Sequence, residues 1–145
     1  MTDPIVSSQW LFENRNNPNL IILDASVKKV TSNTPTDNNK QIAGARCFDL
    51  KNSFSDTESG LPNTFPKAAQ FELECQKLGI NNDSLIVVYD NLGIYSSPRV
   101  WWMFKTMGHQ NVYVLNGGLP DWIKNGYPTE EKQPQQFDLG NFKAQ

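Results

Sequence analysis

Residues 85–89 read Leu-Ile-Val-Val-Tyr, an apolar run that no charged or small polar residue interrupts. A strand with one face in water alternates apolar and polar residues, whereas an unbroken apolar run is typical of a strand covered on both faces. Residues 20–23, Leu-Ile-Ile-Leu, have the same character. The two runs therefore predict central strands of a parallel sheet.

Helical patterns separate the predicted strands. An apolar stripe at helical spacing, starting near Pro66 and stopping at Gly79, predicts a helix between the two runs. The alternation continues with a helix over 97–107, a strand over 112–115 and a short helix that ends at Gly126. Strands that alternate with helices predict an α/β fold with a parallel sheet.

The composition is typical of one globular domain and excludes several classes of partner. The chain has 145 residues, of which 38% are hydrophobic and 19% charged, with a net charge of −2. This charge gives no electrostatic footprint for nucleic acid or anionic lipid, and the apolar blocks are far shorter than the roughly 20 residues of a membrane helix. Because no secretory pattern follows Met1, we expect a cytoplasmic protein without nucleic-acid or membrane partners.

The cysteines and the histidine give no metal or redox pattern. Cys47 and Cys75 are not spaced as C-x-x-C, and His109 is the only histidine, so we expect no metal and no cofactor. Cys75 falls on an apolar helical stripe and is interpreted as a core residue. Cys47 ends a predicted strand on the face opposite Arg46, which makes Arg46 a weak candidate for activating its thiol. His109 follows Gly108, where a helix dipole would favour an imidazolium.

Polar segments without periodicity are interpreted as loops or linkers. Residues 30–40 and 51–66 are rich in turn formers and predict surface loops. Residues 128–145 are too polar to predict another element, but they carry spaced apolar residues that need a surface to lie on. These anchors are Phe137, Leu139 and Phe142.

Two segments are predicted to lie at the edge of the sheet where ligands of parallel sheets bind. Asp24 and Ser26 follow the first run and are interpreted mainly as turn caps. The loop after Tyr89 is the stronger candidate, because a glycine near its middle and Ser-Ser-Pro at a helix start can turn amides inward around an anion. Its candidate residues are Asp90, Asn91, Leu92, Gly93, Ser96, Ser97 and Arg99. The loop lacks the lysine and glycine spacing of a nucleotide-binding P-loop.

Blocks spread along the chain resemble the rhodanese family, and in particular tandem-domain thiosulfate and 3-mercaptopyruvate sulfurtransferases. The blocks are 22–26 (ILDAS), 44–50 (GARCFDL), 60–62 (GLP) with Pro66, 87–90 (VVYD), 97–104 (SPRVWWMF) and 115–122 (LNGGLPDW). The helix with Pro-Arg-Val-Trp-Trp-Met-Phe marks the N-terminal domain of those enzymes. The resemblance implies a three-layer α/β domain over 1–130, its parallel central sheet flanked by helices on both faces, with an interdomain linker or strap starting in 131–145.

The resemblance also implies how this chain takes part in catalysis. The family carries sulfur as a persulfide on a cysteine at the head of the loop after the central strand, and Asp90 stands at that position. A carboxylate is a poor nucleophile toward sulfur, so we expect no catalytic residue here. The resemblance implies a C-terminal rhodanese domain of the same polypeptide as partner, which supplies the cysteine and receives small sulfur donors and acceptors. Val27, Ile94 and Tyr95 match positions that line the cleft, or alternatively pack the loop onto its own domain.

Some positions depart from the family pattern. Gln41 stands where the family has a histidine, Asn63 where a histidine is common, and Lys51 where some members have an acid. No proton-transfer role is therefore assigned to residues 51–63. Arg99 is interpreted as an ion-pair residue within or between domains.

The sequence is also compatible with a function other than sulfur transfer. The alternative to the supporting half of a sulfurtransferase is a stand-alone, catalytically inactive rhodanese-like binding or regulatory module. A phosphatase-like hydrolase is excluded, because the loop has no cysteine.

Overall fold

A computed structural model describes residues 4–26, 40–48, 68–91, 96–131 and 137–143. Strands and helices alternate through these ranges. In chain order they are β1 (Ile5–Val6), α1 (Ser8–Asn14), β2 (Leu20–Asp24), β3 (Lys40–Ile42), β4 (Arg46–Cys47), α2 (Ala68–Lys77), β5 (Leu85–Tyr89), α3 (Ser97–Thr106), β6 (Val112–Leu115), α4 (Gly118–Lys124) and β7 (Thr129–Glu131).

The main sheet has five parallel strands in the order β1-β6-β5-β2-β4. The two apolar runs pair along their whole length, from Leu20 opposite Leu85 to Asp24 opposite Tyr89. β5 lies between β6 and β2, which confirms that it is a central strand.

Both faces of this sheet are covered, as the unbroken apolar runs predict. Ile86 and Val88 of β5 belong to one core cluster with buried residues of α2 and α3. Val87 and Tyr89 belong to a second cluster with buried residues of α1 and α4. Because successive side chains of a strand point to opposite faces, the domain has three layers, with the sheet in the middle.

The predicted helices agree with the structure within a few residues. Cys75 is fully buried on the apolar face of α2, which confirms the core interpretation. Trp101 on α3 packs against the core and donates a 3.1 Å hydrogen bond from Nε1 to the carbonyl of Val112. The neighbouring Trp102 leaves 53% of its surface exposed.

A second, two-stranded antiparallel sheet corrects the prediction that residues after 128 form no further element. β3 and β7 pair from Lys40 opposite Glu131 to Ile42 opposite Thr129. The Gln41 amide reinforces the pair with a 2.7 Å hydrogen bond to Glu130. Main-chain pairing needs no apolar side chains, so a polar composition does not exclude it. Lys40, predicted to end a loop, is the first residue of β3, and residues 30–39 and 51–66 lie outside the described residues.

Residues 137–143, here called the strap, lie on this domain's own surface. The amide of Gly140 donates to the carbonyl of Gln76 at 2.9 Å, and that of Phe142 donates to Ile80 at 3.1 Å. Phe142 is 1% exposed and packs edge-on against Phe71. A Cβ at position 140 would lie 2.0 Å from the Ile80 carbonyl oxygen, so only glycine allows this approach.

The three predicted anchors of the strap are not equivalent. Phe142 lies in the core, and the ring of Phe137 lies 4.3 Å from the guanidinium carbon of Arg46. Leu139 is 73% exposed, so its assignment as an anchor is wrong. It points into solvent between two residues of the strap that contact the domain.

His109 is buried, which corrects its assignment as a dipole-stabilised imidazolium. Its Nε2 lies 2.9 Å from the carbonyl oxygen of Ser84, and its ring packs against Phe104 and Phe142. Burial lowers the pKa of His109 and outweighs the backbone hydrogen bonds with Ser84 and Asn111, which raise it; the charge of Lys105 adds to the lowering. The cost of burying a charge exceeds the small gain from the end of α3.

The strap should contribute strongly to stability. Phe142→Ala is expected to lower the free energy of unfolding by about 3–5 kcal/mol, because it removes a buried aromatic side chain and leaves a cavity. Leu139→Ala is the matched control and should change it by less than about 0.5 kcal/mol. Urea unfolding measures both values. Equal effects of the two variants would contradict the observed docking.

The burial of His109 predicts a pH dependence of stability. An unfolded histidine has a pKa of about 6.5; in the folded chain the pKa of His109 is lower. The unfolded state therefore binds more protons between the two values, and the free energy of unfolding should fall as the pH falls below about 6.5. His109→Gln should flatten this dependence between about pH 5.5 and 7.5, since His109 is the only histidine. Urea unfolding across this range tests it, and an unchanged slope in the variant would refute it.

Candidate functional site

The two segments that the sequence predicts for the ligand-binding edge lie side by side in the structure. β2 and β5 end together at the pair Asp24 and Tyr89, and Cys47 at the end of β4 pairs with Asp24 on the other side. Asp90 follows directly after β5. Parallel strands bring their carboxyl ends to one edge, which explains how distant residues meet here.

A series of hydrogen bonds connects Tyr89, Asp24 and Ile42 at the carboxyl end of β2. The Tyr89 hydroxyl donates to Asp24 Oδ2 at 3.0 Å and accepts from the amide of Ile42 at 3.0 Å. Asp24 Oδ1 accepts from the amide of Ser26 at 2.9 Å, the turn cap that the sequence predicts. Burial and the charge of Asp24 raise the pKa of Tyr89 well above its usual range. Tyr89 is therefore a protonated structural donor.

Asp90 is the centre of the candidate loop. Its Oδ2 accepts hydrogen bonds from the amides of Ser96 at 3.0 Å and Ser97 at 2.9 Å. Its own carbonyl accepts from the amide of Leu119 in α4 at 3.0 Å. The first amides of a helix lack intrahelical partners, and the helix dipole favours a negative charge there. Two amides at the start of α3 thus converge on the Asp90 side chain, and an anion bound by the loop stays a prediction.

Some of the other candidate residues of the loop are described by the structure, and the rest lie outside the described ranges. Ser96 connects the loop to the end of β2, because its Oγ donates to the carbonyl of Ala25 at 2.6 Å. Ser97 is fully buried, and Asn91 and Arg99 are partly exposed at the two sides of the loop. The remaining predicted site residues, Leu92, Gly93, Val27, Ile94 and Tyr95, lie outside the described residues, as do Lys51 and Asn63.

Arg46 and Cys47 point to different surroundings, as strand alternation predicts. The Arg46 guanidinium donates to the Leu78 carbonyl at 2.5 Å and lies over Phe137 of the strap. Cys47 is exposed at the end of β4. Arg46 therefore joins β4 to the end of α2 and to the strap.

The described ranges contain no second site with hydrogen-bonded polar groups as well defined as those around Asp90. Within those ranges, no three His, Cys, Asp or Glu side chains are grouped so as to hold a metal ion. Among the helices of these ranges, none has the length and apolar character of a membrane span. A groove of about 460 Å³ lies beside the strap, lined by Arg46, Gly79, Asn81, Phe137, Asp138, Leu139 and Gly140. None of the residues around Asp90 lines it.

Sequence reasoning missed the part played by Tyr89 and by main-chain groups. Tyr89 looked like the last residue of an apolar run, although it is the only residue of that run with a hydroxyl. The carbonyl of Ala25 and the amide of Leu119 carry no side-chain signal. These contacts depend on which elements the fold brings together.

Comparison with known proteins gives one consistent result. Residues 7–125 match the family described as Rhodanese-like domain. The chain is 42% identical over 132 residues to thiosulfate/3-mercaptopyruvate sulfurtransferase 1, mitochondrial, of Arabidopsis thaliana, covering 89% of this chain and 35% of that protein. It is 35% identical over 133 residues to the 3-mercaptopyruvate sulfurtransferase of Escherichia coli K12, covering 87% and 46%.

Solved structures agree with this result. A crystal structure of a 3-mercaptopyruvate sulfurtransferase from Escherichia coli matches with a TM-score of 0.87 at 32% identity, covering 99% of this chain and 56% of that one. The Tum1 protein of Saccharomyces cerevisiae matches in fold with a TM-score of 0.81, covering 97% and 49%. The three-layer fold with a parallel sheet is thereby confirmed. The chain spans about a third to a half of the curated relatives cited.

The hydroxyl of Tyr89 should contribute measurably to stability. Tyr89→Phe leaves Asp24 Oδ2 and the Ile42 amide each without this partner, which should lower the free energy of unfolding by about 1–3 kcal/mol. Tyr127→Phe is the control, because the ring that stacks on Phe12 is kept. Urea unfolding of both variants provides the comparison. A loss no larger in Tyr89→Phe than in the control would show that the chain of hydrogen bonds is unimportant.

Proposed function

The chain belongs to the rhodanese family, and from this premise we propose that it is the N-terminal, supporting domain of a two-domain thiosulfate/3-mercaptopyruvate sulfurtransferase. Its relatives carry those names and are two to three times as long. The observation that carries the proposal is Asp90, which stands at the head of the loop after the central strand. The compartment stays a prediction, and one relative is named mitochondrial.

The described thiols of this chain are poorly placed for the persulfide step. Cys75 is fully buried in α2, where burial and the charge of Glu74 raise the pKa of its thiol. Nucleophilic attack requires the thiolate, so this residue is inert. Cys47 is exposed, but it lies at the end of the edge strand β4 and not on the loop after β5. Asp90 carries a carboxylate at the position where the family uses a cysteine.

We therefore place the chemistry on a cysteine of the C-terminal domain. Its thiolate attacks the outer sulfur of thiosulfate, the sulfur–sulfur bond breaks, and sulfite leaves with the electron pair. A nucleophilic acceptor such as cyanide then attacks the outer sulfur of the persulfide, and the thiolate leaves. Both steps balance without an external oxidant or reductant.

In this proposal the present domain forms one wall of the cleft around the persulfide. Val27, Ile94 and Tyr95 are the proposed lining residues, and a dry apolar wall protects a persulfide from water. Trp102 supports a contact with a second domain, because α3 starts beside Asp90 and this side chain is about half exposed. Large exposed aromatic residues are typical of protein interfaces.

The proposal is tested by the formation of thiocyanate from cyanide. The 145-residue chain should give no thiocyanate with thiosulfate or 3-mercaptopyruvate, and Cys47→Ala should change nothing. The full product of the reading frame should carry a second domain and should be active. Its activity should disappear when the cysteine at the head of the loop in that second domain becomes serine.

Two results would overturn this proposal. Turnover by the 145-residue chain that Cys47→Ala abolishes would place the nucleophile in this domain. A natural product without a second rhodanese domain would favour the alternative, a catalytically inactive binding module.

A further inference from the structure

The carboxylate of Asp90 meets the start of α3 in the way that a bound anion would. We propose that Asp90 is a built-in anion: its carboxylate permanently fills the anion position of this loop and holds together the two ends of the segment from Asp90 to Ser97. This inference rests on contacts within the domain. It is independent of the sulfur-transfer proposal.

Two backbone amides hold the Asp90 carboxylate by charge-assisted hydrogen bonds, an arrangement here called the cradle. The amides of Ser96 and Ser97 converge on one oxygen, Oδ2, at 3.0 and 2.9 Å. Ser96 is the N-cap of α3, and Ser97 is the first of its ten residues. Hydrogen bonds to an ionised acceptor are roughly twice as strong as neutral ones, and the helix dipole adds to the attraction. A neutral side chain could accept the hydrogen bonds without supplying the charge.

The contacts around Asp90 keep an external anion from competing for the amides of Ser96 and Ser97. Asp90 is 0% exposed, and its carbonyl is held by the amide of Leu119 at the start of α4. On the other side, Ser96 is tied through its hydroxyl to Ala25 at the end of β2. A buried carboxylate is costly unless it is paired, and the two amides help to stabilise a charge at this place. The acceptor and its donors are thus fixed to three elements of the fold.

The chemical consequence concerns small anions. A free oxyanion such as thiosulfate or sulfite would have to displace a carboxylate that is covalently attached to the same loop. Attachment gives the carboxylate a high effective concentration at the two amides. The position at the amides of Ser96 and Ser97 is therefore closed to sulfur oxyanions. Asp90 is a positioning residue in this sense.

Removal of the carboxylate should open the cradle, and formate, the smallest carboxylate, is the probe. Asp90→Ala should have a lower melting temperature than the natural chain. Sodium formate should then raise it in a saturable way by roughly 3–6 °C relative to sodium chloride at the same ionic strength. Formate should also shift the amide resonances of Ser96 and Ser97 in this variant. The natural chain should show neither response to formate or to thiosulfate.

Two control variants separate the cradle from a general salt effect. Asp90→Asn keeps a side-chain oxygen at the position, so its melting temperature should lie between those of the natural chain and Asp90→Ala, without formate rescue. Asp83→Ala removes an exposed carboxylate from a turn and should behave as the natural chain. If Asp90→Ala does not fold in chloride, refolding in formate becomes the measurement, and recovery supports the proposal.

The proposal is overturned if formate acts no better than chloride on Asp90→Ala. It is also overturned if formate moves the Ser96 and Ser97 amides of the natural chain, since the cradle would then be open. Neither outcome depends on thiocyanate formation. Failure of this proposal is thus distinguishable from failure of the proposed function.

Discussion

Coverage of β5 on both faces is the constraint on which the rest of the structure depends. The strand lies between β6 and β2, and its side chains enter two separate core clusters. Its backbone must find partners on both sides, because an unpaired buried amide or carbonyl is costly. Helices α2 and α3 cover one face of the sheet and α1 and α4 the other. The position of the candidate loop follows, since it starts where this strand ends.

At the end of β5 the buried environment changes from apolar to polar within one residue. Tyr89 is the last residue of the strand and Asp90 the first of the loop, and both are fully buried. Each is therefore paired: Tyr89 with Asp24 and Ile42, Asp90 with the first amides of α3. The Tyr89 hydroxyl and the Asp90 carboxyl group thus have their partners within the domain.

The sequence predicted the helices and strands in which the pattern of apolar residues extends over several positions. β2 and β5 were predicted because each contains an unbroken run of four or five apolar residues, and α2 because its apolar residues recur at helical spacing. β1, β3 and β7 have two or three residues each, too few for any period to show. The Asp24 turn cap and the buried Cys75 were predicted correctly, because local spacing fixes both. His109 was interpreted wrongly, because the rings that bury it come from α3 and from the strap.

The sequence by itself determined the parallel α/β architecture, the loop after β5 and the carboxylate that stands at its head. These follow from local properties, namely the period of apolar residues, the residues that end helices and the identity of position 90. Only the tertiary structure decided that this carboxylate binds the amides of Ser96 and Ser97, that Tyr89 joins Asp24 to Ile42, and that the strap lies on its own domain. Those contacts join residues through main-chain atoms or across distant segments. Such partners become neighbours only when the layers pack, because backbone amides and carbonyls are the same chemical groups at every position.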